Sequence, residues 1–159
     1  MKTVIITGTS AGIGYKLSQI FSDQKVKVIS LSRSSNITEI SSKNIEHISF
    51  DITSDDDHQK FINHCKTNKI EIDILINATS LGTKGGEDFS QKFETIKNSL
   101  IYYDVVYNPA ETKLMKHFSK QGAKVFNGLD MLIFQAQKAF LLWNNINPNT
   151  EDLKNKLKI

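Results

Sequence analysis

Cysteine, proline and tryptophan are scarce in this chain of 159 residues, which holds one, two and one of them. The lone cysteine, Cys65, cannot close a disulfide within the chain, so a reducing compartment is its natural setting. A packed thiol is a better reading of it than a reactive one. No apolar run is long enough to span a membrane, and the opening MKTVIITGTS has too short an apolar stretch for a signal-peptide core. Charge excess is also small. Twenty Lys and Arg against 17 Asp and Glu give +3, too little to argue for nucleic acid. His47, His58, His64 and His117 stand at no metal-ligand or triad spacing and read as surface residues. Asp55, Asp56 and Asp57 are consecutive, so they cannot all face one ion from a helix; they suit a helix start. Lys154, Lys156 and Lys158 read as a solvated helix face. The absences point to a soluble, cytoplasmic protein with no metal, no membrane and no nucleic-acid partner. A hydrophobic fraction of 39% supplies the core.

Strand and helix signals alternate along the whole length. Thr3 to Thr7 is a β-branched run stopped by Gly8, followed by a helix pattern carrying Leu17, Ile20 and Phe21. Strands are predicted over 26–31 and 45–50, then a helix over 55–67 and an apolar strand over 72–77. A glycine-containing loop follows at 80–88 and a short helix at 89–99. A strand over 100–107, a helix over 110–121 and a strand over 123–126 come next. Helices over 129–143 and 150–158 close the chain. Six strands separated by helices predict one α/β domain over 1–159, a doubly wound six-stranded parallel sheet of the Rossmann type.

The first loop carries the chemistry. Gly8, Gly12 and Gly14 lie between the first strand and the first helix. In that context Gly8 serves a tight turn, Gly12 a close backbone approach to pyrophosphate, and Gly14 the packing of helix on strand. Exposed N–H groups at the helix start then bind the anion, and Thr9 and Ser10 add hydroxyl donors beside Ile13. No Lys-Ser/Thr pair follows, which argues against a P-loop NTPase. At the end of the second strand, where NAD-specific domains place an acid, stands Arg33, flanked by Ser32 and Ser34. A guanidinium pairs well with a 2′-phosphate, so NADP is favoured over NAD.

Residues 3–77 resemble the short-chain dehydrogenase/reductase family. The resemblance rests on Thr7-Gly8-Thr-Ser-Ala-Gly12-Ile-Gly14, Ser32-Arg33, Asp51-Ile52 and Asp73-Ile-Leu-Ile-Asn77-Ala78. It implies that Asp51 and Ile52 lie beside the adenine and Asn77-Ala78 near its ribose. Residues 73–158 resemble the carboxyl-terminal, NADP-binding domain of the shikimate dehydrogenase family. That match is carried by Ile76-Asn77-Ala78-Thr79-Ser80-Leu81-Gly82, by Asp104-Val-Val-Tyr107-Asn-Pro109 with Thr112, and by Asn127-Gly128-Leu129-Asp-Met131-Leu132. It continues through Gln135-Ala136, Ala139-Phe140 and Leu142-Trp143. The resemblance adds Thr79 to the cofactor residues. It implies that Val105 and Gly128 contact the cofactor near its nicotinamide, that Met131 packs on that ring, and that Tyr107 and Gln135 face the substrate. A polar amide on an apolar helix needs partners, and substrate or nearby backbone would serve Gln135 equally.

Neither family's proton-transfer residues are present. Shikimate dehydrogenases draw a Lys and an Asp from an amino-terminal domain that nothing before residue 73 resembles, and no Tyr-x-x-x-Lys occurs anywhere. No catalytic residue is therefore assigned. Three readings stay open: an NADP-dependent oxidoreductase completed by a second domain or chain, a non-catalytic nucleotide-binding module, and a recombined chain joined near 73–78. Less-covered apolar residues on the 129–143 helix and the 80–88 loop make a homodimer the expected assembly.

Overall fold

A computed structural model describes residues 1–34, 44–83 and 99–157. Almost all of the helix expected over 89–99, most of the 80–88 loop and Lys158 lie outside the described residues. The elements are β1 (Thr3–Thr7), α1 (Gly12–Asp23), β2 (Lys27–Ser32), β3 (Ile45–Ser49), α2 (Asp55–Thr67) and β4 (Ile74–Asn77). There follow β5 (Ile101–Asp104), α3 (Lys113–Lys120), β6 (Lys124–Phe126), α4 (Leu129–Asn144) and α5 (Thr150–Leu157). The six strands form one sheet in the order β3-β2-β1-β4-β5-β6, and every neighbouring pair is parallel. This is the doubly wound Rossmann sheet expected from the alternation of signals. Strand order reverses between β1 and β4, the switch point where such sheets bind ligands.

β1 is buried at all five positions, as a central strand covered on both faces must be. Its side chains alternate between two cores. Val4 and Ile6 join Val28 and Ile76 with Leu17 and Phe21 of α1. Ile5 points the other way, to Ile29, Leu31 and Phe50 with Phe61 of α2. A third cluster, of Leu100, Tyr102, Leu114, Met115 and Phe118, seats α3 on β5. The face of α1 that meets the sheet is small, with Gly14, Ser18 and Ser22 buried, and the Ser18 hydroxyl donates to the Gly14 carbonyl at 2.9 Å.

Local chemistry sets the boundaries. α2 begins where Ser54 accepts from the Asp57 N–H at 3.2 Å, and its first turn holds the three aspartates. α3 is shorter than the predicted 110–121, because the Thr112 hydroxyl accepts from the Met115 N–H and starts the helix at 113. The strand predicted over 100–107 ends at Asp104, whose carboxylate accepts from the Val106 N–H and turns the chain. Two surface expectations are corrected. His58 is buried, its Nε2 donating to the Ile52 carbonyl at 2.8 Å and its ring set edge-on to Phe50. Lys154 pairs with Asp130 at 3.0 Å and lies over the Phe134 ring, so it fastens α5 to α4 instead of standing in solvent.

Phe118 is fully buried and its ring centroid lies 4.5 Å from that of Tyr102. Phe118→Ala should therefore lower unfolding stability by ~3–5 kcal/mol, as a lower urea midpoint at unchanged slope.

Candidate functional site

The glycine turn after β1 is built for close approach. Gly8 and Gly12 hold φ of +73° and +63°. A Cβ on Gly8 would lie 2.7 Å from the Ala78 carbonyl oxygen, and one on Gly14 2.5 Å from the Gly8 carbonyl oxygen. Glycine at those two positions lets α1, the loop and the end of β4 touch. Gly12 differs: nothing lies within 4 Å of where its Cβ would stand. Open space beside bare backbone at the first residue of α1, with no acidic side chain in the first turn, is the cradle a diphosphate needs. The residues present fit a dinucleotide.

A cleft of about 260 Å³ opens beside this turn at the carboxyl ends of β1 to β4. Thr7, Gly8 and Ser10 form one wall, Leu31 to Arg33 a second, Phe50 to Thr53 a third, and Thr79 to Leu81 the last. Of the residues picked out from the sequence, it gathers Gly8, Ser10, Arg33, Asp51, Ile52 and Thr79. Arg33 is exposed at the mouth with Ser34 beside it, and Ser34 is turned back by the Ser32 hydroxyl, which donates to its carbonyl at 3.0 Å. Asp51 accepts from the Thr53 hydroxyl at 2.7 Å and the Thr53 N–H at 2.9 Å. Those two bonds hold its carboxyl below the usual range, and the Arg33 charge adds to them. The Asp51 N–H is taken by Asp57 at 2.8 Å, which ties this wall to the first turn of α2.

Several expected contacts stand elsewhere. Thr9 is fully buried, and its hydroxyl accepts from Ser30 at 2.7 Å, so it anchors the loop to β2. Ile13, the second residue of α1, is 45% exposed. Asn77 is buried and internally engaged. Its Oδ1 accepts from Thr7 Oγ1, Thr79 Oγ1 and the Thr79 N–H, while Nδ2 donates to the Leu81 carbonyl and to Asp104. It shapes the wall that Ala78 and Thr79 form and has no group left over for a ribose. Asp104 receives Asn77, the Val106 N–H, Tyr102 Oη and Thr112 Oγ1 at 3.0–3.1 Å. Burial pushes the Asp104 carboxyl up, and these four donors pull it back. Burial and the neighbouring carboxylate push Tyr102 far up, so its hydroxyl stays a donor.

Val105, Tyr107, Gly128, Met131 and Gln135 fall outside the cleft lining, beyond the end of β5 and at the start of α4. Gly128 presses so closely on Val105 that a Cβ would meet the Val105 carbonyl oxygen at 2.0 Å. Tyr107 is 40% exposed and Met131 half-buried. Gln135 is exposed, so water serves its amide and the partner expected on an apolar face is not required. Among the described residues no group of three His, Cys, Asp or Glu could hold a metal. No helix among them is long and apolar enough to cross a membrane. Cys65 is half-buried, with its pKa pushed up to about 11 by burial and by Glu46, which leaves it a poor nucleophile.

Sequence reasoning missed Ser32, Phe50, Thr53 and Ser80 as cleft walls. Asp51-x-Thr53 was a readable signal, being the spacing of an Asx turn.

Residues 2–101 match the family model described as short chain dehydrogenase. Among curated proteins, shikimate dehydrogenase (NADP(+)) of Pelagibacter ubique is 42% identical over 82 residues, 52% of this chain and 31% of its own length. The enzyme of the same name from Methanocaldococcus jannaschii is 41% identical over 88 residues, 54% of this chain and 31% of its own. The chain thus spans about a third of the length of these curated relatives. Among solved structures, shikimate 5-dehydrogenase of Listeria monocytogenes, in complex with shikimate and NAD, superposes with TM-score 0.73 at 26% identity. That superposition covers 98% of this chain and 55% of the other. A shikimate dehydrogenase in complex with NADP+ gives TM-score 0.68 at 25% identity, covering 97% and 53%. Shikimate dehydrogenase of Aquifex aeolicus shares the fold at TM-score 0.73 and 21% identity, covering 99% and 54%.

The two glycines facing backbone should differ from the one facing open space. Gly14→Ala should lower stability by ~1–3 kcal/mol through overpacking against the Gly8 carbonyl. Gly12→Ala should lose ~1–2 kcal/mol, from positive φ alone. Urea unfolding of both variants checks the ordering.

Proposed function

The chain belongs to the short chain dehydrogenase family, and from that premise we propose that it binds NADP(H) as the nucleotide-binding unit of a shikimate-dehydrogenase-like oxidoreductase. The observation that carries the reading is Arg33 in the wall of a cleft that is also lined by Gly8 and Ser10 of the glycine turn. The Gly8–Gly14 turn would take the diphosphate, with Ser10 as an added donor. Asp51 and Ile52 would flank the adenine, and Arg33 with Ser34 would take the 2′-phosphate. Beyond the switch point, Val105, Gly128 and Met131 would lie along the nicotinamide half.

The cofactor, when bound, supplies hydride transfer. This chain would supply its orientation, and Tyr107 and Gln135 would face the substrate side. Turnover on that reading needs proton-transfer groups from a second domain or chain, and shikimate or its 3-dehydro form is the substrate to test. A second reading, a binding module without turnover, is favoured by the absence of any Tyr-x-x-x-Lys in the sequence. Residues 1–159 would act as one unit in either case. The cytoplasm suits the lone thiol, and a homodimer would cover Leu142 and Trp143, exposed at 71% and 81%.

Titration of NADPH fluorescence should show saturable binding, with NADH weaker. Arg33→Ala should weaken NADPH about tenfold or more and leave NADH nearly unchanged, since a charge-assisted pair is worth ~1.5–3 kcal/mol. Equal losses for the two nucleotides would refute the assignment of Arg33. NADPH-dependent reduction of 3-dehydroshikimate separates the enzyme from the binding module.

A further inference from the structure

Asp104 is a fully buried carboxylate that the nucleotide reading above does not use. Its two oxygens receive four donors, all neutral: Asn77 Nδ2 and the Val106 N–H on Oδ1, Tyr102 Oη and Thr112 Oγ1 on Oδ2. The two on Oδ1 can only donate, so that oxygen carries no proton. Burial raises the pKa of the Asp104 carboxyl, and the four converging donors work against it by favouring the charged form. A charge held by dipoles alone keeps its field, and in a buried setting that field reaches several ångströms with little screening.

Its place in the sheet gives the field a target. Asp104 is the last residue of β5, which pairs with β4, so it stands across the switch point from the walls built on β2 and β3. A dinucleotide laid over a switch point has its two halves over opposite sets of strand ends. With Arg33 marking the adenine side, the nicotinamide half belongs over the ends of β4 and β5. There Gly128 packs directly on the Val105 carbonyl, so backbone comes close to the strand end.

The two forms of the cofactor differ in charge at that end. The ring of NADP+ carries a positive charge and the ring of NADPH carries none. We propose that the buried Asp104 carboxylate biases the site toward the oxidised cofactor by stabilising the positive nicotinamide ring. The proposal rests on the NADP(H) reading.

The test is equilibrium binding of NADP+, NADPH and adenosine 2′,5′-bisphosphate to the whole chain by calorimetry, with wild type and Asp104→Asn. Wild type should bind NADP+ more tightly than NADPH. In Asp104→Asn that preference should fall about fivefold or more, while adenosine 2′,5′-bisphosphate, which lacks the ring, should bind as in wild type. An unchanged NADP+ to NADPH ratio in the variant would overturn the proposal. So would a parallel loss for all three ligands, which is the mark of a merely structural role. If Asp104→Asn does not fold, wild type decides: tighter NADPH than NADP+ overturns the proposal. A wild type that binds neither dinucleotide overturns the cofactor reading itself, and the bias with it.

Discussion

The contact between Asn77 and Asp104 is the joint on which the ligand-binding edge depends. Each is the last residue of its strand, and each strand is one of the pair that continues the sheet past the switch point. Asn77 reaches back to Thr7 at the end of β1 and forward to Thr79 and Leu81 in the cleft wall. Asp104 collects Tyr102 from its own strand and Thr112 from the start of α3. One asparagine and one aspartate thus align the ends of three strands, one helix and one wall. Such a network stands or falls as a whole, because each buried polar group left unpaired would cost ~1–3 kcal/mol. The hydrophobic clusters hold the layers together, but they do not say where the strands stop. The polar joint does.

That division explains which parts of the fold were legible. β1 and β4 are nearly unbroken β-branched and aliphatic runs, and burial on both faces demands that. α2 was readable to the residue because three aspartates announce its start. The ends of β5 and α3 were misjudged for one shared reason. Both are set by Asp104 and Thr112, which bond to each other across eight residues of chain. Periodicity is blind to such a bond. The turns after α1 and α2 use Lys25 and Lys69 at φ of +59° and +50°, where glycine would have been the signal.

The candidate site shows the same split. The glycine turn was legible because backbone geometry, open space and residue type all agree at Gly8, Gly12 and Gly14. Arg33 was legible as a cleft residue because it follows the carboxyl end of β2, where such sheets open their crevice. The inward bonding of Thr9 and Asn77 was not, nor was the burial of His58, which had read as a surface residue. A hydroxyl, an amide or an imidazole serves a ligand or a neighbour equally well, and only the folded chain shows which. Here Ser30, Asp104 and the Ile52 carbonyl are the neighbours.

The two ends of the site are built on different physical terms. At the Arg33 end the side chains are exposed, water screens the charges, and recognition depends on direct pairing with a ligand group. At the Asp104 end the charge is buried, and on the proposed reading contact would pass to Val105, Gly128 and Met131. Direct pairing discriminates by shape and by phosphate, which suits a choice between two dinucleotides. A buried charge discriminates by net charge at a distance, which suits a choice between two redox forms of one dinucleotide. On the two proposals together, Arg33 would select the cofactor at one end and Asp104 would set that cofactor's poise at the other. Neither task calls for a proton-transfer residue, and the sequence holds no Tyr-x-x-x-Lys that would add one.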